Sequence, residues 1–292
     1  MKRIKLSVVL ATRNEETNIE ACLDSVKNIA DEIIVIDENS SDKTREIAKK
    51  FGAKVYKVKH EPIFHKTKQK GLELSTGDWV LQLDADERVT VELSNEIKEV
   101  ISMGNNELVT RKLEIEKHNN LFIRHQKLIE QRDGSIGKQT GKVVAFFIPR
   151  RNYFLGKPLI HAGVYPDGQI RLVKKDKARF PSKSVHEQME IDGEIAWLFN
   201  DLLHDDSPTL KRYLERMNRY TDLHAFDLRQ KKVPANLWYL SLYTIYKPLY
   251  NFLNLYIRHR GFLDGIRGFL WSFFSAMHFP LAYFKYWKID TK

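Results

Sequence analysis

Three carboxylates close together mark where this chain is equipped for chemistry. Asp84, Asp86 and Glu87 directly follow Trp79 to Leu83, five residues that are apolar but for Gln82 and are entered through Gly77-Asp78. The five read as a buried strand, and the acids sit where it ends. In open α/β sheets, ligands bind in the crevice outside the carboxyl ends of the strands. Two carboxylates at spacing two, on a chain leaving a strand, can both turn into one crevice. Such a pair suits a hard divalent cation that keeps its other positions for water and phosphate oxygens. Taken alone, Asp-Ala-Asp reads equally well as an acidic surface turn, so the surrounding elements decide.

Those elements alternate. Ile4 to Leu10 reads as a first strand and ends in the polar loop Ala11-Thr12-Arg13-Asn14-Glu15. Ile19, Cys22, Leu23 and Val26 recur at helix spacing, which predicts an amphipathic helix over 17–28 with Cys22 in the core. Glu32 to Ile36 is a second strand, ending in Asp37-Glu38-Asn39-Ser40-Ser41-Asp42. A helix capped by Ser41 or Asp42 follows and stops at Gly52. Lys54 to Val58 is a third strand and His65 to Leu74 a helix. After the Trp79 strand, Thr90 caps a helix from Val91 to Ile101. Four strand–helix alternations in a hundred residues predict an α/β fold, a doubly wound, mostly parallel sheet. Three strand ends then carry polar or acidic clusters, and this common placement lifts Asp84-Ala85-Asp86 above a surface turn. No Gly-x-Gly-x-x-Gly follows the first strand and no Gly-x-x-x-x-Gly-Lys occurs, which argues against a dinucleotide dehydrogenase or a P-loop enzyme. From Asn105 to Gly141 the pattern fades, and the stretch reads as an insertion or a mixed strand region. Lys142 to Pro149 and Gln169 to Val173 read as strands, and after Pro208 a helical period begins.

The single cysteine excludes an internal disulfide framework and points to a reducing compartment. Residues 207–292 hold 14 Lys+Arg against 5 Asp+Glu, or +9, and the first 206 hold 34 against 33, or +1. Nearly all of the +10 net charge therefore lies in the last 86 residues, which suggests an anionic partner for that part.

Several of these stretches together resemble the family 2 inverting glycosyltransferases of GT-A fold. They are Thr12-Arg13-Asn14-Glu15, Ile36 through Thr44, and Gly77 through Glu87. Tyr165-Pro166-Asp167, Arg171-Leu172 and Val185-His186-Glu187 are similar to the branch that includes the lipopolysaccharide inner-core β-1,4-glucosyltransferases. The resemblance implies a GT-A domain over residues 1–206 and a helical, basic, aromatic-rich, membrane-associating region over 207–292. It implies transfer of a sugar, glucose from a UDP donor in the first instance, to a lipid-linked glycan such as lipopolysaccharide core. A polyprenyl-phosphate or other cell-envelope acceptor is the alternative. Ala11, Thr12, Arg13, Glu15 and Asp37 would hold the nucleoside, Asp84 would contact the ribose or a water in the metal's outer shell, and Ala85 would belong to the same nucleotide-sugar site. Asp86, with Asp84, would ligate Mg²⁺ or Mn²⁺. Lys66, Lys68 and Lys70 lie on the segment that lines the donor site, although this branch often has Arg-Asn near Gln69-Lys70. Glu38 replaces the second member of the usual Asp-Asp pair. Glu187 would be the base that takes the acceptor hydroxyl's proton, and His186 would complete the metal shell or orient the diphosphate. His204 either approaches the site or is a structural histidine.

The C-terminal part is dense in Trp, Tyr and Phe, with Lys and Arg interspersed. Gly268 to Phe284 is uncharged but only 17 residues long, with His278 and Pro280 inside, and a spanning helix wants roughly 20. Helices lying in an anionic membrane interface fit this composition, and packing between helices is the competing account. The implied setting is peripheral, at the cytoplasmic face of the inner membrane. Cations scattered among apolar aromatics do not form a stacking groove, so no nucleic-acid partner is expected. Two other classes compete with the transferase: a nucleotidyltransferase, against which the glycine-free loop after the first strand counts, and a binding protein without catalysis.

Overall fold

Leu6–Thr12 is buried at every position and forms β1 at the centre of the principal sheet. A strand buried on both faces needs a helical layer on each side. In the computed structural model, which describes residues 3–181 and 188–290, the layers come from the alternation that the sequence predicts. In chain order these are α1 (Ile19–Val26), β2 (Glu32–Asp37), α2 (Thr44–Lys50), β3 (Lys54–Lys57), α3 (Phe64–Leu74), β4 (Trp79–Leu83), β5 (Glu87–Val89) and α4 (Val91–Ser102). Leu6, Val8 and Leu10 of β1 pack with Ile19, Cys22, Leu23 and Val26 of α1 and with Leu93, Ile97 and Val100 of α4. On the other face, the α3 backbone comes so close to β1 that a Cβ at Gly71 would lie 3.3 Å from the Cβ of Val9. Thr90 caps α4 as expected, its Oγ1 accepting from Leu93 N at 3.1 Å.

Asn105 to Gly141, expected as an insertion or mixed strand region, is helical instead: α5 (Asn105–His118) and α6 (Asn120–Asp133). Each buries only two side chains, Leu108 and Ile115 in α5 and Phe122 and Ile129 in α6. An apolar stripe that thin leaves little periodicity to read. β6 (Val143–Ile148) follows, fully buried. The chain next forms β7 (Arg150–Phe154) and β8 (Lys157–Pro158), then β9 (Gln169–Lys174), β10 (Ala178–Arg179), β11 (Glu190–Ile191), β12 (Glu194–Trp197) and β13 (Leu202–Ser207).

The seven-stranded sheet has the order β12-β6-β9-β4-β1-β2-β3. β1 is parallel to β2 and β4, and β2 to β3. β9 is antiparallel to both β4 and β6, and β12 is parallel to β6. Six strands therefore run one way and β9 the other. The register pairs Thr12 with Asp37 and Leu10 with Leu83. The loops after β1, β2 and β4 therefore leave from the same sheet end.

The chain divides into two compact units, Met1–Arg150 with Pro166–His204 and Arg151–Tyr165 with Asp205–Lys292. The second is built on α7 (Leu210–Gln230), α8 (Leu237–Ser241), α9 (Lys247–Leu253) and α10 (Gly265–Asp290), with π-helical turns at Leu242–Tyr246 and Asn254–Arg258. One of its cores gathers Ala225, Leu228, Tyr243, Tyr283 and Tyr286; another gathers Phe154, Leu159 and Tyr213 with Trp271 and Phe274 against them. Asp264 anchors the loop before α10 by accepting from His161 N at 2.8 Å and pairing with His161 Nδ1 at 2.9 Å. Part of the aromatic set is therefore core. Among the described residues, no helix is long and apolar enough to cross a membrane.

Candidate active site

The loops after β1 and β2 are stitched into one rim. Asn14 takes a left-handed φ of 55°, its N–H donates to Ser40 Oγ at 2.9 Å, and its Oδ1 accepts from Ser41 N at 2.8 Å. Glu15 N donates to Thr44 Oγ1 at 2.8 Å. Asp37 is fully buried at the base of this rim. It accepts from Ser40 N at 2.9 Å, from Ser40 Oγ at 2.5 Å and from Thr12 Oγ1 at 3.3 Å, and Arg45 Nε lies 3.5 Å away. Ala11 and Thr12 are buried, while Arg13 is exposed. Glu38 is also buried; it accepts from Thr67 Oγ1 of α3 and pairs with His60 Nδ1 at 2.6 Å. The Glu that departs from the usual acid pair thus pins α3 to the end of β2.

α3 in turn delivers a lysine. Lys68 Nζ lies 2.6 Å from Asp84 Oδ1, and its side chain is one-tenth exposed. Lys66 and Lys70, two residues to either side, are exposed, and Lys66 pairs with Glu61 at 3.3 Å. Burial pulls the Lys68 ammonium's pKa down, with Asp84 pulling the other way.

A residue from β9 completes the strand end. Arg171 Nη2 donates to Asp84 Oδ2 at 2.5 Å and to Glu87 Oε1 at 2.7 Å, and its Nη1 donates to Gln82 Oε1. Glu87 has no exposed side-chain surface, and Arg150 Nη1 lies 3.4 Å from it. Arg150 also holds Asp167 Oδ2 through Nε and Nη2 at 2.9 and 2.7 Å. Three carboxylates, Asp84, Glu87 and Asp167, are therefore balanced by three cations, Lys68, Arg150 and Arg171. Burial alone would raise the Asp84 pKa; the charges of Arg171 and Lys68 hold it well below the usual carboxylate range. Asp84 N donates to Glu87 Oε2 at 2.9 Å, and Arg88 Nη1 donates to the Ala85 carbonyl at 2.7 Å, so the acidic turn is fixed from within.

Asp86 has a different environment. Its Oδ2 lies 3.5 Å from Nε2 of His204 on β13. Burial would raise the Asp86 carboxyl; the hydrogen bond and charge of His204 outweigh it, so its pKa is lowered, while Asp84 works against this. β13 reaches the spot because Leu202 and Leu203 pair with Val89 and Arg88 of β5, which sets His204 opposite Glu87. A carboxylate and an imidazole this close, beside a cation-balanced acidic turn, are a donor set that a divalent metal fits.

Of the residues singled out from sequence, the structure brings Asp37, Asp84, Ala85 and Asp86 to one sheet end with the Ala11–Glu15 loop. His186 and Glu187 lie outside the described residues. Sequence reading gave no role to Gln82, Arg150 or Thr67 and valued Arg171 only as part of a motif. A buried arginine inside an apolar strand, Gln-Ile-Arg-Leu-Val, was the available signal, since lone charges are rarely buried unpaired.

Residues 7–163, more than half of the chain, match the family described as Glycosyl transferase family 2, and the chain belongs to that family. An uncharacterized glycosyltransferase of Rickettsia conorii is 42% identical over 101 residues, 35% of this chain and 36% of that protein. The chain thus matches about a third of the length of such curated relatives. Lipopolysaccharide core biosynthesis glycosyltransferase LpsC of Rhizobium meliloti is 23% identical over 287 residues, 94% of this chain and 91% of that one. Among solved structures, S. aureus TarS 1–349 in complex with UDP-GlcNAc is similar with a TM-score of 0.41 at 15% identity, over 92% of this chain and 79% of that one.

Proposed function

We propose that this protein is an inverting, metal-dependent glycosyltransferase. It moves a sugar, glucose in the first instance, from a UDP-linked donor to a lipid-linked glycan such as lipopolysaccharide core, working peripherally at the cytoplasmic face of the inner membrane. The observation that carries the reading is the split between neighbouring acids. Asp84 is neutralised internally by Arg171 and Lys68, while Asp86 sits against His204 at the end of the same strand. The similarity to LpsC over most of both chains supports the choice of acceptor class.

Asp86 and His204 would hold Mn²⁺ or Mg²⁺; the imidazole favours the softer Mn²⁺. The bound ion would supply charge neutralisation at the departing diphosphate. The protein's own residues do the rest. The buried Asp37 and the stitched loops after β1 and β2 form the wall for the nucleoside, and Lys68 brings a positive charge to the end of β4. In the transfer, an acceptor hydroxyl oxygen bonds to the anomeric carbon from the face opposite the leaving group. The bond from that carbon to the β-phosphate oxygen breaks, its electron pair leaving with UDP. The hydroxyl proton passes to a carboxylate, which we assign to Glu187; a positioned base contributes about 10²–10⁴-fold.

Calorimetric titration with UDP, GDP, CDP and dTDP, each with and without Mn²⁺, tests the donor site. UDP is expected to bind only with metal, and Asp86→Asn to remove that binding while leaving the thermal transition in place. Metal-independent binding, or undiminished transfer by Asp86→Asn, would refute the metal assignment.

A further inference from the structure

The second unit carries an apolar surface that its own cores leave uncovered. From Leu237 to Ile257, Leu237 is 83% exposed, Trp238 72%, Ile245 63%, Tyr246 63%, Leu249 56%, Tyr250 58%, Leu253 48% and Ile257 55%. Ile245, Leu249, Leu253 and Ile257 recur every fourth residue, which places them along one helix face. Trp238, Leu242, Ile245 and Tyr246 also wall an apolar groove of about 360 Å³ that opens on this stretch. Soluble monomers rarely expose contiguous apolar surface on this scale without an interaction to cover it.

The charge around the face says what covers it. Residues 228–263 contain no Asp or Glu and six cations, Arg229, Lys231, Lys232, Lys247, Arg258 and Arg260. Lys247 lies over the Tyr243 ring at 3.5 Å, its stem laid along aromatic surface. A segment of apolar and aromatic side chains whose own charges are all positive complements anionic headgroups above an acyl layer.

We propose that the exposed Leu237–Ile257 face seats in the headgroup–acyl boundary of an anionic bilayer, with Trp238 and Tyr246 at the depth where amphipathic rings settle. This deepens the proposed function, because it rests on an acceptor held in a membrane and names the side chains that meet it. The length of the series of exposed apolar side chains, from Trp238 to Ile257, favours the bilayer over a second copy of the chain: with no acid anywhere in the segment, it matches an extended anionic plane.

Flotation with vesicles of phosphatidylglycerol and phosphatidylcholine, against phosphatidylcholine alone, is the test. The native protein is expected to float with the anionic vesicles and much less with the neutral ones, and added salt should weaken the association. Trp238→Ser and Leu249→Ser remove exposed side chains, so the fold is retained. Each should weaken vesicle binding about tenfold, as expected when a large apolar side chain no longer leaves water. UDP binding, followed in parallel, should be unchanged in both variants. If UDP binds but native protein ignores anionic vesicles, this inference fails while the transferase reading stands; vesicle binding without nucleotide binding has the opposite meaning. Full vesicle binding by both variants, or a native dimer that the two substitutions dissociate, would also overturn it.

Discussion

Removing the Arg171 charge tests whether the site is organised as argued. Arg171→Met keeps most of the side-chain stem and deletes the guanidinium. The native group bridges Asp84 at 2.5 Å and Glu87 at 2.7 Å and also donates to Gln82. Without it, the three-to-three balance becomes three carboxylates against Lys68 and Arg150. Glu87, with no exposed surface, keeps Arg150 only at 3.4 Å. Taking one partner from a buried ion pair costs roughly 3–5 kcal/mol, because the other charge stays buried without its counter-ion. Little of this is cavity cost, since methionine fills most of the space. Urea unfolding followed by circular dichroism should register a loss in that range. Arg171→Lys, which keeps the charge but not the planar fork, should lose less. Adding Glu87→Gln to Arg171→Met should return part of the loss, a coupling of about 1–3 kcal/mol in a double-mutant cycle. A loss under about 1 kcal/mol, the range of a solvated surface pair, or strict additivity in the cycle, would show that Arg171 is not the internal counter-ion.

Two further predictions concern how the sheet is held. A Cβ at Gly77 would lie 2.7 Å from Ser7 N and 2.9 Å from Lys5 O, so Gly77→Ala must push β1 and the entry to β4 apart; a destabilisation of about 1–3 kcal/mol is expected, and an unchanged melting temperature would contradict this close approach. His125 Nε2 accepts from Gly168 N at 3.0 Å, and burial lowers its pKa, with Asp167 working in the opposite direction and Arg132 in the same one. The unfolded chain therefore binds this proton more readily than the folded one. The contribution of His125 is complete above its ordinary pKa of about 6.5 and is lost as pH falls toward its lowered folded value. Melting temperatures at about pH 7.5 and about pH 5.5 should fall less on acidification in His125→Asn than in the native protein; an equal fall would exclude the histidine as a source.

The sequence by itself determined the elements of the first hundred residues apart from β5, because the signals there are local. Strand runs such as Leu6–Thr12 are mostly apolar, α1 has a clear buried stripe, and Thr90 announces α4 through a cap that needs only its own next turn. The acids at Asp37 and Asp84–Glu87 were legible for the same reason: a strand in a parallel sheet carries whatever follows it to the ligand-binding edge. Two kinds of feature needed the tertiary structure. α5 and α6 bury two side chains each, so their apolar period is too faint to read from the chain. The state of the acids depended on partners far away in sequence. Antiparallel insertion of β9 beside β4 sets Leu172 opposite Leu81 and so places Arg171 on Asp84, 87 residues away. β13, paired with β5, brings His204 to Asp86. Charge pairing acts over a few ångströms of space and is indifferent to chain separation, so composition can announce acids at a strand end but only the fold decides which one is neutralised by cations and which one is set against a histidine.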